Sequence, residues 1–147
     1  MFEIKIDDKA VMSSLDRLAA TAHNMSPVMR MISHELAQQT EKNFAAEGRP
    51  KWLGIKPRKG REGGMILQGT GQLAASISTS HDSMSATIGS NKVYAAIHQL
   101  GGKTGRGHKV TMPARPFLPV DAQGQLQPEA SENILGLVND YLRSVIA

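Results

Sequence analysis

The feature that most restricts how this chain can fold is an arginine framed by prolines at 113 and 116, with a third proline at 119. Proline has no amide N–H and fixes its own φ, so this segment cannot run through the middle of a sheet. Residues 94–100, shortly before it, form a short apolar stretch that ends at two glycines, where left-handed backbone angles cost little. The pattern predicts a short element closed by glycine, then an edge strand at 110–112.

The N-terminal half predicts one strand and two helices. Residues 2–6 alternate apolar and charged side chains, which is typical of a half-buried strand. Asp7 or Asp8 can cap a first helix, whose apolar face holds Val11, Leu15, Leu18, Ala19 and Ala22. Ser26 and Pro27 predict the start of a long helix to about residue 46, because serine can cap and proline suits the first helical position. Its predicted buried side holds Met25, Met29, Ile32, Leu36 and Phe44.

The C-terminal half predicts a hairpin and a final helix. Residues 70–75 indicate a short helical start, and residues 77–81 and 84–89 indicate two strands joined at Asp82 and Ser83. Pro128 predicts the start of the last helix. Its buried stripe, Ile134, Val138, Tyr141 and Val145, is widened by Leu135, Leu142 and Ile146, enough to face a partner as well as the core. The expected fold class is α+β: a small antiparallel sheet flanked by two N-terminal helices and one C-terminal helix.

Size and composition favour one soluble domain over residues 1–147, since domains usually hold roughly 100–150 residues. The chain has no cysteine, which removes disulfides, cysteine zinc sites and thiol nucleophiles. The alternating N-terminus lacks the continuous apolar run of a signal peptide. No stretch approaches the roughly 20 apolar residues of a membrane span, so no membrane partner is expected.

A loop rich in glycine, proline and basic residues occupies about residues 47–66. Loops of this length are usually functional, or disordered until a partner binds. We therefore expect it to be mobile in the free chain and ordered by a neighbouring protein. Trp52, the only tryptophan, either folds back to pin the loop or docks on another subunit.

Eight of the 17 basic residues lie in two short loops, 51–62 and 103–109, although the formal net charge is only +4. Such loops are candidates for contact with an acidic partner, DNA included, while the simpler interpretation is a solvated surface. These residues are Lys51, Lys56, Arg58, Lys59, Arg61, Lys103, Arg106 and Lys109.

Enzyme motifs fail by single residues. His34 and Glu35 begin a zinc-protease HExxH motif, but Gln38 stands where the second histidine belongs. Residues 102–104 resemble the end of a phosphate-binding loop whose first glycine is missing, and residues 103–105 match a penicillin-binding triplet without its Ser-x-x-Lys partner. His98 is expected to be structural, with a general base as the lesser alternative. We predict no catalytic site, cofactor or metal. A hydrolase that uses His98 is kept as a minor alternative function.

Several of these motifs together resemble the phage virion morphogenesis family, the tail-completion proteins of Mu-like and related contractile-tailed phages and prophages. The resemblance covers about residues 44–120, in the family's order. Leu100 departs from it, since family members often carry an aromatic residue there. The matching residues are Pro50-Lys51-Trp52, Leu67, Thr70-Gly71-Gln72-Leu73, Ile77, Ile88-Gly89, residues 94–102 and residues 113–118.

The resemblance implies a structural virion component that completes the tail or makes it competent to join the head. It also implies a hexameric ring that contacts the tail tube, the tail terminator or the head-tail connector, located in the tail or neck and in the host cytoplasm during assembly. Arg115 is expected to pair with a carboxylate of its own or the next subunit. The predicted interface residues are Trp52, Tyr94, His98, Arg115, Phe117 and Leu118. The alternative function is a DNA-binding module that uses the two basic loops.

Overall fold

A computed structural model describes residues 9–54, 66–68 and 70–147. The strand predicted at residues 2–6 lies outside these ranges. The elements, in chain order, are α1 (Lys9–Ala22), α2 (Ser26–Ala45), α3 (Gln72–Ala75), β1 (Ile77–His81), β2 (Ala86–Ser90), α4 (Ala95–Leu100), β3 (Gly102–Thr104), a 3₁₀ turn (Arg106–His108), β4 (Val110–Met112) and α5 (Pro128–Ile146).

The long helix α2 is the central element, and it packs against α5 and against the β1–β2 hairpin. Its predicted range is confirmed, but the predicted capping by Ser26 is wrong. The Asn24 side-chain oxygen instead accepts a hydrogen bond from the Ser26 amide at 3.1 Å. Asparagine two residues earlier can reach this amide, whereas Ser26 already belongs to the first turn. Met25 and Met29 are only half-buried, whereas Val28 is completely buried.

The β1–β2 hairpin is antiparallel, with Ile77 opposite Ser90 and His81 opposite Ala86. Asp82 forms the turn by accepting hydrogen bonds from the Met84 and Ser85 amides at 2.8 and 2.7 Å. These bonds, led by that from Met84, lower the pKa of the Asp82 carboxyl because they favour its charged form. The predicted hairpin is confirmed, with its second strand beginning at Ala86 rather than at residue 84.

Helices α1 and α5 also pack against each other. Arg17 of α1 caps the end of α5: its side chain donates to the carbonyls of Val145 and Ile146 at 2.9 and 3.4 Å. A cation at the last turn of a helix also complements the helix dipole. Across residues 9–22, no side chain of α1 is fully buried. Helix α1 is therefore a thin outer layer supported by α5.

The buried apolar residues form two clusters at the two ends of α2. The first holds Val28, Ile32 and Leu36, with Ile134, Val138 and Tyr141 of α5 packed against them. The second holds Phe44, Trp52, Ile66, Leu73 and Phe117. Phe44 stacks on Phe117 with ring centroids 5.5 Å apart and meets Trp52 edge-on at 6.0 Å. This second cluster ties the proline-rich segment to the C-terminal end of α2.

The α+β class is confirmed, but the described strands do not form one sheet. They form two separate two-stranded antiparallel sheets, β1–β2 and β3–β4. Strand β4 lies at 110–112 as predicted, and its partner β3 falls within a stretch that the sequence predicted as a glycine turn. Glycine at the start of β3 hid this strand, because glycine has low strand propensity. Among the described residues, no helix has the length and apolarity needed to span a membrane.

Candidate functional site: the joint segment

Residues 94–120, here called the joint segment, fold α4, the β3–β4 hairpin and the proline-rich stretch onto one another. Gly101 ends α4 with φ of 71°, and its amide donates to the Ile97 carbonyl at 2.8 Å. A Cβ on Gly101 would lie 2.6 Å from the Ala114 nitrogen, closer than atoms can approach. The turn therefore requires glycine for both its backbone angle and its close approach to the segment at 112–114.

Gln99 holds the two halves of the joint segment together. Its side-chain oxygen accepts hydrogen bonds from the amides of Phe117 and Leu118 at 3.0 and 2.9 Å. The Arg115 amide donates to the His98 carbonyl at 2.7 Å. Proline cannot supply amide donors at 116 or 119, so the few amides that remain are bonded to α4. Sequence analysis did not identify Gln99; the signal was a polar residue inside an otherwise apolar short helix.

Replacing Gln99 with leucine is expected to lower the free energy of unfolding by about 2–3 kcal/mol, because two amides would lose their acceptor in a buried position. Gln99→Glu keeps an acceptor oxygen at the same place and should lose less stability. Urea unfolding followed by circular dichroism measures both variants. Equal stability of Gln99→Leu and wild type would show that these two bonds do not hold the segment.

Arg115 is almost fully buried, with 6% of its surface exposed. Its Nε donates to the Leu53 carbonyl at 2.9 Å and its Nη2 to the Gly54 carbonyl at 3.3 Å. Among the described residues it pairs with no carboxylate, and its pairing with a carboxylate elsewhere in its own subunit or in the next one stays a prediction. Main-chain carbonyls satisfy the guanidinium because the loop after Trp52 turns its backbone toward it. Arg115 thus anchors the start of the basic loop to the joint segment.

His98 is half-buried, its Nδ1 has no hydrogen-bond partner, and its ring meets Tyr94 edge-on at 5.9 Å. Burial lowers the pKa of His98, and the neighbouring positive charge of Arg115 lowers it further, because both disfavour the imidazolium. The neutral ring is therefore the folded form near neutral pH. A structural His98 is what this packing supports.

The lowered pKa of His98 predicts a specific pH dependence. Because the unfolded chain binds a proton more readily at this site, the contribution of His98 is fully present above its ordinary pKa of 6.5. It should be lost as pH falls below 6.5 toward the lower folded pKa. Melting temperatures of wild type and His98→Asn between pH 8 and pH 5 test this. The wild type should lose more stability on acidification, and parallel curves would contradict the assignment.

Trp52 is pinned within its own subunit. Its indole N–H donates to the Pro116 carbonyl at 2.9 Å, and its ring is buried in the cluster with Phe44 and Phe117. Gly48 makes the turn possible, since a Cβ there would lie 2.5 Å from the Trp52 ring. Of the two alternatives for Trp52, the structure therefore shows pinning.

A buried polar network behind Trp52 was missed by sequence analysis. Asn43 and Gln39 are completely buried on α2, and Arg49 bonds to both of their side-chain oxygens and to Glu129 of α5. Asn43 also donates to the Phe117 carbonyl at 3.0 Å. Hydrogen bonds from Lys42 and Arg49 lower the pKa of Glu129. The available signal was that Gln39 and Asn43 lie on the same helical face as Leu36.

The predicted interface residues divide by burial. Trp52, Arg115 and Phe117 are buried and act within the subunit, whereas Tyr94, His98 and Leu118 are half-buried. The structure brings all six together around the joint segment. Contact of any of them with another subunit stays a prediction.

The two basic loops differ in how much of them the structure describes. Lys51 is exposed and its ammonium donates to the Ala46 carbonyl at 2.7 Å, at the end of α2. The predicted mobility and contacts of the rest of that loop, including Lys56, Arg58, Lys59 and Arg61, fall outside the described residues. Lys103, Arg106 and Lys109 are exposed on the β3–β4 hairpin.

A groove of about 410 Å³ runs along α2 beside α3 and β1. Phe44, Ala74 and Ile77 line it together with the carboxylate-bearing Glu41.

Within residues 9–54, 66–68 and 70–147, no group of three His, Asp or Glu side chains is placed to hold a metal ion. Apart from His98 Nδ1, the buried polar side chains described above are hydrogen-bonded within the chain.

The whole chain was compared with protein families and with known proteins. The model of the phage virion morphogenesis family matches residues 6–143, nearly the whole chain and all of the joint segment. The chain belongs to that family. It is 42% identical to Mu-like prophage FluMu G protein 2 of Haemophilus influenzae, with 99% of each chain covered. It is also 31% identical to the putative capsid assembly protein G of Escherichia phage Mu, covering 83% of this chain and 85% of that one.

FluMu G protein 1 of the same Haemophilus strain is 31% identical, over 89% of this chain and 92% of that one. No solved structure matches the chain. Membership of the virion morphogenesis family supports a structural rather than enzymatic role in virion assembly. It also associates the chain with the phage particle or with its assembly.

Proposed function

We propose that this protein completes the phage tail and makes it competent to join the head, acting by binding and not by turnover. The observation that carries the proposal is the joint segment itself. The side chains of Gln99, Arg115 and Trp52 form hydrogen bonds with main-chain atoms. These bonds fix the shape of the joint segment, and they leave no nucleophile paired with a general base in it. A rigid subunit of this kind suits repeated assembly, where each copy must present the same geometry.

The proposed assembly is a ring, with six copies expected to match the tail tube. Its partners would be the tail tube, the tail terminator or the head-tail connector. The half-buried Tyr94, His98 and Leu118 at the edge of the joint segment are the proposed contact residues. Their partly exposed apolar surface is of the kind that interfaces cover.

Deleting the gene in the encoding phage or prophage tests this function. Induced lysates should contain DNA-filled heads and separate tails, and supplying the wild-type gene in trans should restore joined particles. The matched control is the Val93→Ala gene, because Val93 is 99% exposed and its change should complement fully. Normal numbers of joined, infectious particles without the gene would contradict the proposal.

A second candidate is a role in assembling the capsid, which the name of the phage Mu relative, putative capsid assembly protein G, favours. The same deletion separates the two. Loss of heads, or heads of aberrant size beside normal tails, would indicate capsid assembly. Unjoined but normal heads and tails would indicate tail completion.

The basic residues of the β3–β4 hairpin favour a DNA-binding module as the alternative class. In that case affinity for duplex DNA should fall by about 0.9 log units per tenfold rise in salt for each phosphate contact. A titration of the purified protein with duplex DNA at several salt concentrations decides this.

A further inference from the structure

The β3–β4 hairpin, residues 102–112, is an arm that the rest of the described chain leaves largely uncovered. Its two strands pair only with each other, with Gly102 opposite Met112 and Thr104 opposite Val110. Two-stranded hairpins are marginally stable alone in water, and each strand here has one unpaired edge. Val110 on the arm is 50% exposed. Such an arm gains stability when it docks on another surface.

The charge of this arm is of one sign. Lys103, Arg106 and Lys109 are exposed, and residues 101–112 contain no acidic side chain. In the described part of the chain, none of the three forms an ion pair. The surface that receives the arm should therefore carry acidic groups beside an apolar contact.

The outer face of α5 has this character. Helical spacing places Glu132 and Asp140 on the side turned away from Ile134, Val138 and Tyr141, which pack on α2. Leu135 lies at the edge of that side, one helical turn before Val138. Leu135 is 61% exposed. Unlike Glu129, which Lys42 and Arg49 neutralise, Glu132 and Asp140 have no ion-pair partner among the described residues. Arg143 is the one basic residue on this face and lies in its last turn.

We propose that the β3–β4 hairpin of one copy docks on the outer face of α5 of a second copy. Arg106 and Lys109 face Glu132 and Asp140, and Val110 lies at the edge of the contact, against Leu135. The two surfaces are different patches of the same chain, so the contact is head-to-tail. A head-to-tail contact repeats around a ring when its rotation closes. The inference rests on the proposed ring and names the two surfaces that build it.

Charge reversal on each surface gives a decisive test. One variant carries Arg106→Glu and Lys109→Glu, and the other carries Glu132→Lys and Asp140→Lys. Each variant alone places like charges across the contact and should associate about tenfold more weakly, or not at all, in native mass spectrometry and sedimentation velocity. Mixing the two variants should restore oligomers, because the reversed hairpin matches the reversed face and the unreversed surfaces match each other. Those oligomers should contain the two variants in alternation.

A single chain carrying all four substitutions should associate like wild type, and its formal net charge is the wild-type +4. The matched control for net charge is Lys9→Glu with Arg30→Glu. Both of these residues are exposed on other helices, and the pair changes the charge by the same amount as the hairpin variant. This control should leave the oligomer unchanged. Circular dichroism of each variant checks that it is folded.

Three results would overturn the inference: a wild-type chain that stays monomeric at every concentration, variants that associate normally alone, or a mixture that fails to reassociate. A hairpin variant that keeps its oligomer but no longer binds duplex DNA would assign the arm to nucleic acid instead. The function proposed above is tested in phage particles, not in solution. Unjoined heads and tails after gene deletion, with failed charge swaps, would leave that function standing and reject only this interface.

Discussion

Replacing Arg49 with alanine is expected to lower the free energy of unfolding by about 3–4 kcal/mol, because several acceptors lose their donor at once. Arg49 donates to the Asn43 side-chain oxygen at 2.8 Å, to the Gln39 carbonyl at 3.2 Å and to the Gln39 side-chain oxygen. Asn43 and Gln39 are fully buried, so water cannot replace the lost bonds. The planar guanidinium is needed to reach these groups together, so Arg49→Lys should recover little of the loss.

Lys42→Ala is the matched control, because Lys42 binds the same carboxylate as Arg49. The Lys42–Glu129 pair is 2.8 Å long, but 52% of the lysine side chain is exposed. Exposed pairs contribute about 0–1 kcal/mol, so this variant should stay close to wild type. Urea unfolding at neutral pH compares the variants. Similar losses for Arg49→Ala and Lys42→Ala would mean that the buried amides do not depend on Arg49.

The second large effect is expected for Phe117→Ala, which should lower the free energy of unfolding by about 3–5 kcal/mol. The Phe117 ring is 1% exposed and stacks on Phe44. Removing it leaves a cavity between the proline-rich segment and α2. The prolines on either side of Phe117 limit how far the backbone can move to fill that cavity. Trp52 packs in the same cluster and would lose a neighbour.

Trp52 is also the probe for this prediction, since the chain has one tryptophan. Its emission should shift to longer wavelength at lower urea concentration in Phe117→Ala than in wild type. Val93→Ala removes an apolar side chain that is 99% exposed and should change stability by no more than about 0.5 kcal/mol. A Phe117→Ala curve that overlays the Val93→Ala curve would show that the cluster does not hold the joint segment.

The elements with a clear period or start signal were predictable from sequence. Pro128 marks the start of α5 at its observed first residue, and Pro27 marks the first turn of α2. The β1–β2 hairpin follows from its short turn at Asp82. These features depend on local backbone chemistry, which a sequence shows directly.

Contacts between distant residues were not predictable in the same way. The sequence shows an arginine between prolines, but its partners, the carbonyls of Leu53 and Gly54, are main-chain atoms that leave no trace in residue type. The burial of Gln39 and Asn43 could not be predicted either, because polar side chains are usually exposed. The free-energy cost of removing them from water is offset only when Arg49 folds back onto α2 and bonds to both. The short element closed by glycine and the strand at 110–112 were nonetheless predicted correctly, because glycine and proline act on the local backbone.

The most direct test of the tail-completion account is a cryo-electron microscopy reconstruction of the particle made by the encoding phage. Density for this chain should form a ring of six copies at the head-proximal end of the tail. The β3–β4 hairpin of each copy should touch α5 of its neighbour. Absence of the chain from finished particles, or its presence only within the capsid shell, would contradict the account.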